Sequence, residues 1–288
     1  MKKLSYLVLP ALLIITSCKK DPEIIPGNTA MSDPTVSLTQ IRQFVQKVYL
    51  STIGITPSDS VMDAEIRSLA ITNCSNDSKS ALINKLISSP EALENYYEIR
   101  NQQLLDGASD EDIEDMITSI EADISDPANA VDVTRLQLEL QRMQDLRDAR
   151  QQFLNGTISL LEVEKRMTAS RLFAWVNGSG DVWVQSVFSF FLLRMPTDGE
   201  LENASTMMYG YPATLFLQTG TTDTDFLNIF FSSRSFYEGQ VRELFRNLLY
   251  REPDSGELLS YTDAFSSHKN HITTMRKIFL SHEFLRGY

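Results

Sequence analysis

The sequence predicts an all-α protein made of degenerate helical repeats, with one long helical hairpin inserted among them. Two observations carry the repeats. Residues 241–257, VRELFRNLLYREPDSGE, place apolar side chains three and four apart, stop at a proline, and then offer Asp254 and Glu257 three apart. Residues 184–200, VQSVFSFFLLRMPTDGE, echo them: Val184 falls on Val241, Phe188 on Phe245, Leu192 on Leu249, Arg194 on Arg251 and Glu200 on Glu257. Three-four apolar spacing is one stripe of an amphipathic helix. Proline lacks an N–H and disfavours a helical residue before it, so each first helix ends near its arginine. Thr197 with Glu200 and Asp254 with Glu257 have the capping-box spacing that starts the next helix. The third observation is negative: no stretch alternates convincingly as a strand does, and the ambiguous apolar run 226–231 fits a helix better.

In chain order, residues 1–17 form a leader rather than a fold element. Lys2 and Lys3 precede a short apolar run, Leu4 to Ile15, too short to remain as a membrane-spanning helix. It ends Ile15-Thr16-Ser17-Cys18, which resembles the lipobox of bacterial lipoproteins. That resemblance implies that Cys18 becomes the lipidated first residue of the mature chain. Lys19-Lys20-Asp21-Pro22-Glu23 resembles the start of Bacteroidetes-type outer-membrane lipoproteins, some of which are sent to the cell surface. The expected location is therefore the outer membrane by a lipid anchor, facing the periplasm or the cell surface, with the surface favoured. Residues 18–39 are rich in Pro, Ser, Thr, Gly and Asn without a period and read as a flexible tether.

Composition bounds the partners. The chain has 26 basic and 38 acidic residues; loss of Lys2 and Lys3 with the leader leaves 24 against 38, a net charge of −14. That argues against nucleic acid or anionic lipid as a partner. With Cys18 lipidated, Cys74 is the single remaining thiol, so stability must come from core packing rather than a disulfide.

Residues 40–101 read as the first helical unit. Val45, Val48, Tyr49 and Ile53 keep the apolar register ahead of Pro57. Ile55 stands where the later copies have arginine and Val61 where they have glutamate. Thr56 and Asp59 have capping-box spacing, with Pro57 at the first helical position, where its missing N–H costs nothing. Each unit closes on a serine after an apolar run, at 86–91 (LISSPE), 230–236 (FFSSRSF) and 279–284 (FLSHEF), a capping signal for one more helix.

These elements resemble the small helical repeat family known as domain of unknown function 4214, an apolar helix, Gly-Arg-x-Pro, a second helix and a closing Phe-x-x-Ser-x-Glu-Phe. The carriers are residues 248–254 and Ser281 to Phe284. The first unit, through residues 86–91, also resembles the helical part of the planctomycete cytochrome-associated family of unknown function 1549. Where the first family has glycine before the arginine, this chain has Leu193 and Tyr250, while the first unit keeps Gly54 without the arginine. Neither resemblance implies a catalytic residue.

Residues 102–178 are expected to hold the inserted hairpin and a connecting helix. Ser109 and Asp112 open an acidic helix with Ile113, Met116, Ile117, Ile120 and Ile124 on its stripe, and Asp126-Pro127 breaks it. A longer helix to about Asn155 carries Val133, Leu136, Leu140, Met143 and Leu146 near a heptad seam. Its excess over the first helix, around residues 146–154, must rest on the body, on another copy or on another protein, and the hairpin is expected to carry a protein-binding surface. Ser159 and Glu162 start a connecting helix reaching about Trp175, and Asn177-Gly178-Ser179-Gly180 ends it. The second unit spans 179–238 and the third 239–288, with the stretch from Gly210 to Asp223 in the second read as an exposed loop.

Candidate chemistry is sparse. His268, His271 and His282 lack carboxylates or Cys at ligand spacing and read as exposed polar positions. The acidic run 106–115 lacks the EF-hand pattern and reads as the first turn of a helix. Cys74 has no His nearby in sequence, and there is no Gly-x-Ser-x-Gly, phosphate loop or haem-attachment motif. No catalytic, cofactor or metal residue is therefore assigned. Arg194 and Arg251 are expected to serve the repeat frame by binding their own helix ends or a carboxylate of the next helix. Trp175 and Trp183 are expected in the core, and Tyr209 and Tyr211, beside Gly210 and Pro212, form the best candidate binding loop. The function expected is a non-catalytic accessory, scaffold or binding subunit of an envelope complex with protein partners and no cofactor. The alternative is a surface lipoprotein that binds polysaccharide or hydrolyses glycan or peptide.

Overall fold

A computed structural model describes residues 35–286; Cys18 and the tether before Thr35 lie outside the described residues. The described chain begins α1 (Leu38–Thr52), α2 (Asp59–Ile71), α3 (Asn76–Ile87), α4 (Pro90–Leu105). The hairpin follows as α5 (Asp110–Ser125) and α6 (Val133–Leu154), joined through a short 3-10 turn. Then come α7 (Leu160–Ala169), α8 (Arg171–Asn177), α9 (Asp181–Leu192) and α10 (Asp198–Met208). A two-stranded hairpin, β1 (Ala213–Leu215) and β2 (Gln218–Gly220), precedes α11 (Asp223–Ser232), α12 (Arg234–Leu249), α13 (Ser255–His268), α14 (His271–Phe279) and α15 (His282–Arg286). The fold is all-α, as the periodicity requires, and no described helix is long and apolar enough to cross a membrane.

The repeat frame is visible in the backbone. Gly54, Leu193 and Tyr250 all adopt left-handed conformations, with φ of 80°, 56° and 55°, after α1, α9 and α12. A left-handed residue past a helix end lets the last carbonyls find donors and turns the chain sharply. Proline follows in each copy, and the next residue is the N-cap: Ser58, Thr197 and Asp254. Thr197 and Asp254 form full capping boxes with Glu200 and Glu257. Ser58 forms no side-chain cap; Val61 stands where the reciprocal carboxylate would be, and the Ser58 hydroxyl sits 3.2 Å from Ser60 Oγ. The first copy therefore keeps the later copies' position for its cap, and the box expected at Thr56 and Asp59 is not formed.

Closing serines also recur. Ser89, Ser233 and Ser281 accept from the N–H groups of Ala92, Phe236 and Phe284 at 3.2, 3.0 and 3.1 Å. Ser170 does the same with Phe173 N–H at 3.1 Å, and its hydroxyl donates to Met167 O at 2.7 Å. It holds an extended conformation, φ −77° and ψ 154°, so it splits the connecting helix expected to run to Trp175 into α7 and α8. The unit that holds the hairpin thus ends on the same device as the others. The helix begun at Ser233, α12, closes the second unit and opens the third.

The hairpin lies on the body. Ile113, Ile117 and Ile120 of α5 are buried with Leu136 and Met143 of α6, and Leu146, Ala149 and Phe153 are buried where α6 outruns α5. Beyond α5, α6 packs on α7 and α4. Arg166 on α7 donates to Asp145 O at 3.0 Å and Gln152 Oε1 at 2.9 Å, and Arg142 on α6 clasps the Asp223 carboxylate at 2.7 and 3.0 Å. Of the three resting places open to the excess, the structure shows the body.

The loop 210–223 contains a β-hairpin with Ala213 opposite Gly220 and Leu215 opposite Gln218. Its turn, Phe216-Leu217, has φ of 48° and 65°, the primed-turn geometry usually given to Asn-Gly, so the usual signal is absent from the sequence. Phe216 supports that turn by packing its ring 6.1 Å from Phe188 and 6.2 Å from Phe230. Trp183 is buried as expected, whereas Trp175 is 81% exposed, because Leu172 and Phe173 take the inward face of α8.

A cleft over a buried charge cluster

The polar centre of the molecule is assembled from four helices. Arg100 on α4 donates to Glu243 on α12 through Nη1 to Oε1 at 2.5 Å and Nη2 to Oε2 at 2.8 Å. Its Nε lies 2.7 Å from Glu164 Oε1 on α7, an ion pair without hydrogen-bond alignment. The Arg100 Nη1 also donates to Gln103 Oε1 at 2.7 Å. On α14, His271 Nε2 is 2.8 Å from Gln240 Oε1 and 3.6 Å from Glu164 Oε1. Gln240 Nε2 donates to Phe191 O, a buried carbonyl in the last turn of α9, at 3.3 Å. That contact points the Gln240 oxygen at His271, so Nε2 carries the imidazole proton.

Burial sets the charges. Glu164 and Gln240 are fully buried and His271 is 2% exposed. Burial pushes the Glu164 carboxyl up to about 7; Arg100 opposes the rise, and the Glu243 charge adds to it. Burial likewise pushes His271 down to about 3, with Arg100 adding to the effect, so the ring is neutral. For Arg100, burial works against the charge, but Glu243 and Glu164 outweigh it and hold the guanidinium charged. One cation thus serves two carboxyls, and a proton on Glu164 neutralises the cluster.

Above the cluster, α4 and α12 stand apart. A cavity of about 350 Å³ opens there, walled by Leu50, Ile99, Leu160, Leu244, Leu248 and Met275, with Tyr96, Arg100, Glu243 and Asn247 also lining it. A second, of about 310 Å³, is lined by Leu104, Phe190, Phe191 and Arg246. Arg100, Glu243 and Asn247 line both, so the Arg100–Glu243 pair separates them. Apolar walls with a few convergent polar groups are the usual make-up of a ligand site. The sequence carries no sign of it: its polar residues are spread from Arg100 to His271, and His271, expected to be exposed, is buried because α14 turns it onto Gln240 of α12.

The residues singled out from sequence fall elsewhere. Arg194 binds both Glu200 oxygens at 2.7 Å and Met195 O at 3.0 Å, with its guanidinium 5.5 Å from the Phe188 ring. Arg251 repeats this on Glu257 at 2.7 Å, Glu252 O at 2.9 Å and the Phe245 ring at 5.2 Å. It also reaches Glu283 through Nε at 2.6 Å and Nη2 at 2.5 Å. Tyr209 and Tyr211 are 73% and 66% exposed beside the β-hairpin. Cys74 is buried, and burial raises its thiol above the ordinary range. Asp223 is held low, against its burial, by Arg142. Asp112 and Asp225 complete capping boxes. Among the described residues, no three His, Cys, Asp or Glu side chains are grouped to hold a metal ion.

No known protein family, curated protein or solved structure matches the chain.

Proposed function

We propose that this chain is a non-catalytic outer-membrane lipoprotein, anchored through Cys18, that acts as a binding or accessory subunit of an envelope complex. The observation that carries this reading is the cleft between α4 and α12, with apolar walls above an ion pair whose charges are met within the protein. Arg100 and Glu243 satisfy each other, so the cleft offers shape and apolar area rather than a free charge, which suits a partner with apolar side chains. The resemblance to domain of unknown function 4214 belongs to the same proposal and rests on the sequence motifs at residues 248–254 and 281–284. The test is mild crosslinking and co-purification from native membranes, comparing wild type with Ile99→Lys and Leu248→Lys after circular dichroism has shown both variants folded. Loss of a reproducible partner in both supports the cleft; retention of every partner rules it out.

The alternative, a surface protein that binds polysaccharide or hydrolyses glycan or peptide, draws on Glu164, whose carboxyl holds a proton close to neutral pH beside His271. Turnover of a glycan or peptide by wild type and not by Glu164→Gln would favour it.

A further inference from the structure

The turn between α8 and α9 presents apolar side chains that the core does not use. Trp175, Val176 and Val182 are all exposed around it. Val182 lies over the turn, where a Cβ on Gly178 would stand 2.6 Å from its Cγ1. The Ser205 hydroxyl donates to Asp181 Oδ1 at 2.5 Å and so ties the start of α9 to α10. Tyr209 follows one helical turn beyond Ser205, and Tyr211 comes just after it. The sequence has no Lys or Arg from 172 to 193 or from 195 to 233, and Arg171, one helical turn before Trp175 at the start of α8, is paired with Asp123 at 3.3 Å and Glu139 at 3.5 Å.

We propose that this aromatic turn, Trp175 with Val182 and Tyr209, is a second membrane contact that seats in the headgroup layer of the bilayer holding the lipidated Cys18. The inference rests on the lipoprotein reading. Trp and Tyr have an apolar body and a polar tip, which places them at membrane interfaces. The lack of unpaired basic residues, with a mature net charge of −14, selects uncharged or zwitterionic headgroups over anionic ones. The length of chain between Cys18 and Leu38 bounds the distance of the domain from the anchored end: 20 residues reach at most about 70 Å. A patch too weak to hold a free protein is then presented to lipid at an effective concentration on the order of millimolar.

The two tryptophans make the test direct, since Trp183 is buried and Trp175 exposed. The full lipidated chain is reconstituted in phosphatidylcholine vesicles, with and without brominated phosphatidylcholine. The mature-length Cys18→Ser chain is mixed with the same vesicles at high lipid concentration. The expected result is a blue shift and bromine quenching of emission in the lipidated protein. Both should be lost in Trp175→Phe and reduced at least twofold in Tyr209→Ser. If the wild-type protein floats with vesicles and carries lipid on Cys18 by mass, yet its emission is unshifted and unquenched, the proposal is overturned. Should Cys18 prove unlipidated, the anchoring reading falls, and the Cys18→Ser chain decides the patch separately: a lipid-induced shift supports it and none overturns it. Protection of Trp175 by an added envelope protein, with no effect of lipid, also overturns it.

Discussion

Glu164 and His271 show how burial redistributes a proton without changing its number. Unfolded, the pair is an ionised glutamate and a charged histidine between about pH 4.5 and 6.5; folded, it is a protonated glutamate and a neutral ring. Glu164, raised to about 7, contributes stability that is full below 4.5 and lost as pH rises through 7. His271, lowered to about 3, contributes stability that is full above 6.5 and lost as pH falls through 3. The two slopes cancel in the window between, so this pair predicts a stability plateau from about pH 4.5 to 6.5, read by urea unfolding across that range. Glu164→Gln removes one slope, and its stability relative to wild type should then rise with pH through the window, by about 1.4 kcal/mol per unit. An unchanged difference between the two proteins over that window would mean that the proton is not held there. Gly239 is a second residue-scale constraint. A Cβ there would stand 2.0 Å from Phe191 O, where α12 crosses the end of α9. Gly239→Ala should destabilise by about 3 kcal/mol or more, since the backbone itself must move, and a urea midpoint close to wild type would contradict the packing.

At the scale of elements, the two arginine turns invite comparison because they share everything except Glu283. Arg194 and Arg251 each clasp the glutamate of the following capping box, but Arg251 also fastens α15 through Glu283. Arg251→Ala should therefore cost more than Arg194→Ala. The difference should be about 1 kcal/mol, because both sites are partly solvent-screened, and thermal melts of the two variants would show it. Equal losses would mean that the Glu283 contact contributes nothing. The α5–α6 hairpin is an integral part of the body. Its buried isoleucines, with Met143, Leu146 and Phe153, belong to the continuous core. Replacing 110–155 by a short Gly/Ser linker should abolish cooperative folding, and Phe153→Ala alone should cost about 3–5 kcal/mol. A deletion variant with an unchanged cooperative melt would restore the view of the hairpin as a separable arm.

For the whole molecule, the proposed anchor and the body should be separable. Cys18→Ser should leave the protein folded, with wild-type circular dichroism, yet shift it from the outer-membrane to the soluble fraction; a single weak interfacial patch is not expected to hold it there alone. Unchanged fractionation would place the anchor elsewhere. The body depends on packing throughout, because buried Cys74 is the one described cysteine and is free. Its aromatic core runs through Phe188, Phe191, Phe226, Phe230 and Phe236, whose rings meet at 5.2 to 6.2 Å wherever they pair. The second and third units share α12, so strain at one should be felt in the other.

What the sequence determined alone was local. The capping boxes at Thr197 and Asp254, the closing serines and the apolar stripes involve residues three or four apart, whose interactions form within a turn or two of helix. They were legible for that reason, and the all-α repeat class followed from them. The left-handed caps at Leu193 and Tyr250 were half legible: Gly54 marked the position, but bulky residues hid its conformation in the later copies. The primed turn at Phe216-Leu217 was hidden in the same way, since ring packing rather than turn chemistry supports it. Only tertiary structure decided that Arg100, Glu164, Glu243 and His271 meet, that Trp175 faces outward and that the end of α6 rests on the body. Each of these depends on which helix faces which across long separations in the chain. A three-four stripe says that a face is buried; it does not name the helix that buries it.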